Sequence, residues 1–261
     1  MSVREARGRR SRGAAALAAV AIAAAAGMIA AARGEGPAKT PLAVFPVGVD
    51  YEVERADEAG AVFDSLLAAE LRGRGIEFLD AAATERVRES AVDSVGGFYD
   101  PYTGRPIDSL QARTADLTRA LLVREHGVRR LVVPRLIVHG VRFDGREAKW
   151  YGAVENTGGR GGLEGFLFGQ HYGGIAAITF VVRVYDTAGH RLAAGAGGVQ
   201  LFERIGGVPG GQGARVPRDS LFLDEARNRA AVRRAVDSVE AALRVVADER
   251  EHARAREGAG P

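Results

Sequence analysis

The histidines are the first residues to weigh for proton transfer or metal binding. They are His126, His139, His171, His190 and His252, and no two stand at the i, i+4 spacing that puts two imidazoles on one helix face. His139 is followed by Asp144, and His190 follows Asp186. A histidine beside a carboxylate can serve as a general base or share a mixed metal site. At a strand end or in a hairpin turn the same residues are ordinary solvated groups, and that is the expectation here. Ser65 and Ser90 fall inside helical patterns, and no G-x-S-x-G elbow is present. The chain has no cysteine, which removes disulfides, thiolate metal sites, a cysteine nucleophile and a lipidated N-terminal cysteine. The run Gly158-Gly159-Arg160-Gly161-Gly162 lacks the G-x-x-x-x-G-K-S/T spacing and opens no helix, so it reads as a surface loop. No catalytic, cofactor-binding or metal-binding residue is expected, and no cofactor.

The residues best placed to make a contact are aromatic: Trp150, Tyr151, Phe166, Phe168 and Tyr172, set among glycines. Aromatics in a glycine-rich loop can form a partner or membrane contact surface. The competing reading is that they cover one end of the core. Arginines at Arg129-Arg130, Arg233-Arg234, Arg244, Arg250, Arg254 and Arg256 are interleaved with Asp and Glu along the last helix, which fits a solvated, ion-paired face better than a nucleic-acid surface.

The elements that must carry these residues begin at Pro41. The apolar run Leu42, Val44, Phe45, Val47, Val49 reads as a buried strand. Ala59, Val62, Phe63, Leu66, Leu67 and Leu71 recur at helical spacing, with Asp57 as cap and Gly73 and Gly75 as stop. Ile76 to Leu79 reads as a second short strand, which completes a βαβ unit. A short helix is expected over Ala81–Ser90 with Asp80 as cap, then loop over Val92–Pro106. A long helix follows from Ser109 to His126 with Asp108 as cap, Leu110, Leu117, Ala120 and Leu121 on one face, and Gly127 at its end. Val128 to Phe143 is a strand in which Pro134 indicates an edge or a bulge. Ala148–Val154 reads as one strand with Trp150 and Tyr151 on opposite faces, and Ile175–Asp186 pairs through a turn at Thr187–His190 with Arg191–Phe202 as a hairpin. The weak side chains of Ala193–Gly198 imply close backbone or helix packing. Gly206–Pro217 is a loop, and a final helix runs from Asp219 to Arg256 with a stripe of Val232, Ala235, Val236, Val239, Ala242, Leu243 and Val246. The fold class is α/β: a mixed β-sheet with an N-terminal βαβ unit, a late β-hairpin and a long C-terminal helix packed on the sheet.

Arg4, Arg7, Arg9, Arg10 and Arg12 precede a charge-free stretch, Gly13 to Ala32, and Ala30 and Ala32 fit an A-x-A cleavage pattern. Residues 1–32 therefore read as a signal peptide, or alternatively as an N-terminal membrane anchor that touches the membrane through residues 13–32. Either way the domain is expected outside the cytoplasm: periplasmic or otherwise exported, or inner-membrane-anchored and facing outward. Residues 33–40 are a linker, 41–248 a single domain of ordinary composition, and 249–261 a charged tail. The net charge of +3 owes much to the leader, so no nucleic-acid partner is expected.

The segments PLAVFPV, SLLAAELRGRGIEFLDAAATERVRE, VRRLVVPRLIVHGVRF, ITFVVRVYDTAGHRLAAGAGG and ARNRAAVRRAVDSVEAAL stand in an order that resembles the exported α/β domain of curli-secretion channel lipoproteins, TolB N-terminal domains and related envelope accessory lipoproteins. The resemblance covers most of Pro41–Ala247 and is one of pattern. The chain departs from it in lacking the lipidated cysteine and any long membrane-inserting hairpin; Glu155–Thr179 is too short and too weakly alternating for one. The resemblance implies a non-enzymatic, exported cell-envelope accessory or assembly protein whose partners are envelope proteins or further copies of itself in a homo-oligomer. A periplasmic small-ligand or polysaccharide-binding module is the alternative.

Overall fold

The computed structural model describes residues 42–144, 146–158, 172–205 and 213–244, all within one compact unit. The expected leader at 1–32, the linker at 33–40 and the tail at 249–261 lie outside the described residues, as do Phe166, Phe168, His171 and His252. The elements are β1 (Leu42–Val44), β2 (Gly48–Val49), α1 (Ala56–Gly73), α2 (Ala81–Val95), α3 (Asp108–His126), β3 (Arg130–Asp144), β4 (Glu147–Trp150), β5 (Ala153–Asn156), β6 (Tyr172–Asp186), β7 (Arg191–Leu201), β8 (Glu203–Ile205), β9 (Gly213–Arg215) and α4 (Glu225–Asp237). The fold is α/β with a mixed sheet. No helix among the described residues is long and apolar enough to cross a membrane.

β3 and β6 form the spine, antiparallel without interruption from Arg130 opposite Asp186 to Asp144 opposite Tyr172. β7 pairs beyond β6, and β1 and β2 run parallel to β3 on its other side. The expected opening strand is thus broken at Phe45–Val47. Pro134 accounts for the break, though β3 is neither an edge nor bulged at that residue. The carbonyls of Val132 and Leu136 accept from Phe45 and Asp50 at 2.9 and 3.0 Å, so the even-numbered backbone groups of β3 face β1 and β2. Pro134 has no N–H to offer on that side. Where the pairing lapses, the Val47 N–H donates to Asp64 Oδ1 of α1 at 2.9 Å, and burial holds that carboxyl above its ordinary value. The last piece of the βαβ unit contracts to a parallel bridge of Leu79 with Ala43, carried by two backbone bonds of 2.8 and 3.0 Å.

α1 starts after Arg55, which adopts φ 58°; Asp57 lies in the first turn and is not the cap. Asp80 caps α2 as expected, accepting from Ala83 N–H at 2.8 Å, and α2 extends to Val95. Ile107 precedes α3, so Asp108 sits inside its first turn, and Gly127 ends it at φ 66°. The buried face of α3 is Thr114, Thr118 and Leu122; Leu110, Leu117 and Leu121 lie half-buried at its flanks and Ala120 is exposed. The expected C-terminal helix is interrupted. A 3-10 turn at Arg218–Ser220 leads to Phe222 at φ 61°, and α4 begins only at Glu225, capped by Asp224 on Arg227 N–H at 3.0 Å. A turn at 238–239 separates α4 from helical residues 240–244.

Helices cover both sheet faces. α1, α4 and the helical residues 240–244 bury Phe63, Leu67, Leu71, Val232, Val236 and Leu243 against Val132, Leu136, Phe180, Val182 and Val184. α2 and α3 cover one end of the other face, around Ala43, Leu122, Val128 and Leu131. The expected close packing at Ala193–Gly198 is present: a Cβ on Gly195 or Gly197 would stand 2.0 Å from the carbonyl oxygen of Ala235 or Ala231 in α4.

Ala148–Val154 is not one strand. Tyr151 and Gly152 take φ 39° and 74°, the positive pair of a type I′ turn, and β4 and β5 form a hairpin around them. β5 folds back against the end of β7 and the following turn: Gly198 N–H donates to Tyr151 O at 3.1 Å and Ile205 N–H to Thr157 O at 2.7 Å. A second core, with Val141, Phe143, Trp150, Ile175 and Leu201, fills the space enclosed.

Candidate functional site

The aromatic group splits. Trp150 is 7% exposed, packs in the second core, and donates its indole N–H to Ile178 O at 3.4 Å. It is core cover rather than contact surface. Tyr151 is 53% exposed at the hairpin tip and Tyr172 is 80% exposed opposite Asp144, at the other end of β4. These two tyrosines therefore do not form one patch. The positions of Phe166 and Phe168 lie outside the described residues.

The histidine–aspartate pairings also separate. His139 Nε2 lies 2.7 Å from Thr179 Oγ1, opposite Ala177 in the sheet, while His190 reaches Asp186 Oδ2 at 3.1 Å in the hairpin turn. Asp186 lies nine strand positions beyond Ala177, about 30 Å at the usual rise. Asp144 is at the far end of β3 from the turn. Asp186 also accepts His190 N–H, which holds its carboxyl below the ordinary range. Among the described residues no group of three His, Cys, Asp or Glu could hold a metal ion.

Glu155 is buried in β5, where no sequence pattern singles it out. Its Oε1 accepts Leu201 N–H at 3.2 Å and Arg227 Nη1 at 2.7 Å, so a side chain closes the seam between β5 and β7 where backbone pairing lapses. Burial pushes this carboxyl up, against the pull of Arg227. Glu155, Arg204, Arg227 and Gln200 line a polar cavity of about 290 Å³. Each of the buried groups there has a structural partner: Gln200 Oε1, for instance, accepts Phe222 N–H at 3.0 Å.

A more apolar feature lies between the α2–α3 pair and the sheet. It is a cleft of about 350 Å³ whose walls include Phe45, Phe98, Leu131, Val133 and Tyr185. It exists because α3 turns short side chains toward the sheet: Thr114, Ala115 and Thr118. The threonine hydroxyls donate to Leu110 O and Thr114 O at 2.8 Å each, one turn back. Their polar groups are spent within the helix, and what remains is methyl-sized. Two hydroxyl residues four apart beside an alanine were the available signal in the sequence. The rim carries Arg88, which forms a fork with Glu85 at 2.5 and 2.8 Å, and Arg119, paired with Asp116. Arg88 holds Glu85 below its ordinary value.

The loop after α2 closes one side of this cleft. Gly96 and Gly97 take φ 83° and 86°, Tyr99 bridges Pro106, and Asp100 accepts the N–H groups of Tyr102 and Thr103 at 2.8 Å. The loop is therefore fixed while Tyr99 is 61% and Tyr102 96% exposed; Phe98, with its ring 4.7 Å from Tyr99, lines the cleft. Comparison of the chain with family models, with curated proteins and with solved structures finds no match, so the site stands on its own geometry.

Proposed function

We propose that the protein is an exported, non-enzymatic binding module of the cell envelope and that the α2–α3 cleft is where it holds a small ligand. The observation that carries this reading is the cleft itself: about 350 Å³ with apolar walls and a few polar groups at its rim. Small-molecule sites are concave, mostly apolar and roughly 300–1,000 Å³ in volume. Export is supported by the arginine-led, charge-free stretch at residues 13–32. The test is thermal denaturation of the purified protein against envelope-derived lipids, glycans and small metabolites. A true ligand raises Tm with the logarithm of its concentration above Kd, adding about 2.7 kcal/mol of stability at a hundred times its Kd. Ala115→Leu, at an exposed position on the cleft wall, should remove that rise without lowering the ligand-free Tm. A rise that survives this change places the ligand elsewhere.

A second reading is supported by the fixed loop that displays Tyr99 and Tyr102. Exposed tyrosines on a rigid loop suit an accessory or assembly role through contacts with envelope proteins or with another copy of the chain, in keeping with the resemblance to envelope accessory lipoproteins. Crosslinking in the native host should then capture a discrete partner or oligomer, and Tyr102→Ser should lose it with Tm unchanged.

A further inference from the structure

We propose that the ligand of the α2–α3 cleft is an amphipathic anion: a compact apolar body bearing one carboxylate, sulfonate or phosphate group, its charge met by Arg183, beside the cleft on the same sheet face, and by Arg88 and Arg119 on the helices. The inference rests on the reading of the cleft as a binding site and adds the chemistry of its occupant.

The register carries the argument. Val133 lines the cleft and pairs directly with Arg183 of β6. Directly opposed residues of an antiparallel pair project from the same face, so the guanidinium of Arg183 rises from the same face as the cleft floor. Arg183 is half-buried and has no ion-pair partner among the described residues. A half-buried guanidinium without a counter-charge favours an anion that comes out of water beside it. Arg88 and Arg119 differ in that each is tied to a carboxylate three residues earlier, Glu85 and Asp116, and neither carboxylate lines the cleft. Further along the same face Arg135 is paired with Asp50 at 3.0 Å. The charged residues that line the cleft are thus the two arginines, with their carboxylates outside it, and Arg183 stands on the same sheet face beside the lining residue Val133. The apolar wall of Phe45, Phe98, Leu131 and Tyr185 requires a body without polar groups. The volume, at the low end for ligand sites, suits a fused ring or a short chain and excludes a two-chain lipid.

Two fluorescent probes with the same ring system separate the charge from the body. N-phenyl-1-naphthylamine is neutral, and 1-anilinonaphthalene-8-sulfonate adds a sulfonate. Titrated into the intact protein at low salt, the sulfonate should bind with one-to-one stoichiometry and about tenfold more tightly than the neutral probe, a difference of about 1.4 kcal/mol. Arg183→Gln should reduce that ratio to near one and leave the neutral probe unchanged; 0.5 M salt should narrow it in the wild type. Ala115→Leu should weaken both probes, with Thr118→Leu as a second filling variant if the first leaves the cleft open. Equal binding of the two probes, with no effect of Arg183→Gln, overturns the anion assignment and leaves the cleft standing. Failure of both probes to bind, or binding untouched by both filling variants, removes the cleft reading beneath it. Displacement of the bound sulfonate by decanoate points to a chain-shaped ligand and displacement by naphthoate to a ring-shaped one. Displacement by neither overturns the proposal.

Discussion

Glu155 shows how much a single residue's role depends on what folding brings to it. In the sequence it is one polar residue in an alternating run; in the structure it replaces a backbone acceptor at the β5–β7 seam and meets Arg227 across the sheet end. Burial raises its folded-state pKa above the unfolded value. A raised carboxyl contributes stability that is fully present below the unfolded pKa and is lost as pH rises through the folded one. Denaturant titrations from pH 4 upward should therefore show a decline in the wild type that Glu155→Gln lacks. Arg227→Met should deepen the decline at neutral pH, by less than the roughly 3–5 kcal/mol of a fully buried pair because Arg227 is itself more than a third exposed. A wild-type curve identical to that of Glu155→Gln would mean that folding does not shift the carboxyl and that it ionises alike in both states. Trp150 carries the same lesson in reverse. Its neighbours in sequence are glycine and aromatic, which marks a contact loop, but the I′ turn at Tyr151-Gly152 sends its ring inward. The turn was legible only as a glycine after a tyrosine, a weak signal beside Asn-Gly or Asp-Gly.

At the scale of elements the sequence was most readable where a missing side chain had a packing consequence. The small residues of β7 indicated a close neighbour, and α4 lies there with its carbonyl oxygens over Gly195 and Gly197. Gly197→Ala puts a methyl group into the Ala231 carbonyl, which no rotamer relieves. The helix must lift, and a loss of at least ~1–3 kcal/mol is expected in chemical denaturation. Gly174 is the matched control: a methyl group added there would meet nothing within 4 Å, and alanine should be tolerated within about 0.5 kcal/mol. Caps were legible where the side chain does the capping. Asp80→Ala should cost about 1 kcal/mol through the lost bond to Ala83 N–H, whereas Asp57→Ala and Asp108→Ala, in first turns without that bond, should cost only a few tenths. The buried face of α3 departs from the leucine pattern for a physical reason. Leucines mark the apolar stripe by composition, but Thr114 and Thr118 satisfy their hydroxyls inside the helix and so behave as small apolar residues. That rotation turns a helix–sheet contact into a cleft, which is why the candidate site could not be seen before the fold.

At the scale of the whole domain, two layers of helix hold the sheet between them, and Arg74 ties one layer together. It follows α1 directly and is only 14% exposed, and its guanidinium reaches Glu70 at 2.6 Å, Asp237 at 2.5 Å and Glu240 at 2.6 Å. One cation thus joins the end of α1 to the end of α4 and to the helical residues beyond it. Nothing in the sequence linked residues so far apart, since each carboxylate also reads as one of many charges on a solvated helix face. Arg74→Gln keeps the stem and part of the hydrogen bonding but leaves three carboxylates facing one another. Glu240 is held below its ordinary value, mainly by Arg244 and further by Arg74. A depressed carboxyl stabilises the fold above its unfolded pKa, and that stability is lost as pH falls through the folded value. The wild type should therefore gain on Arg74→Gln as pH rises from about 3 to 6, where the carboxylates ionise. Added salt should narrow the gap at pH 7 by screening the repulsion left in the variant. A gap that is the same at both ends of that range, and indifferent to salt, would mean that Arg74 joins the two helices by the packing of its stem rather than by its charge.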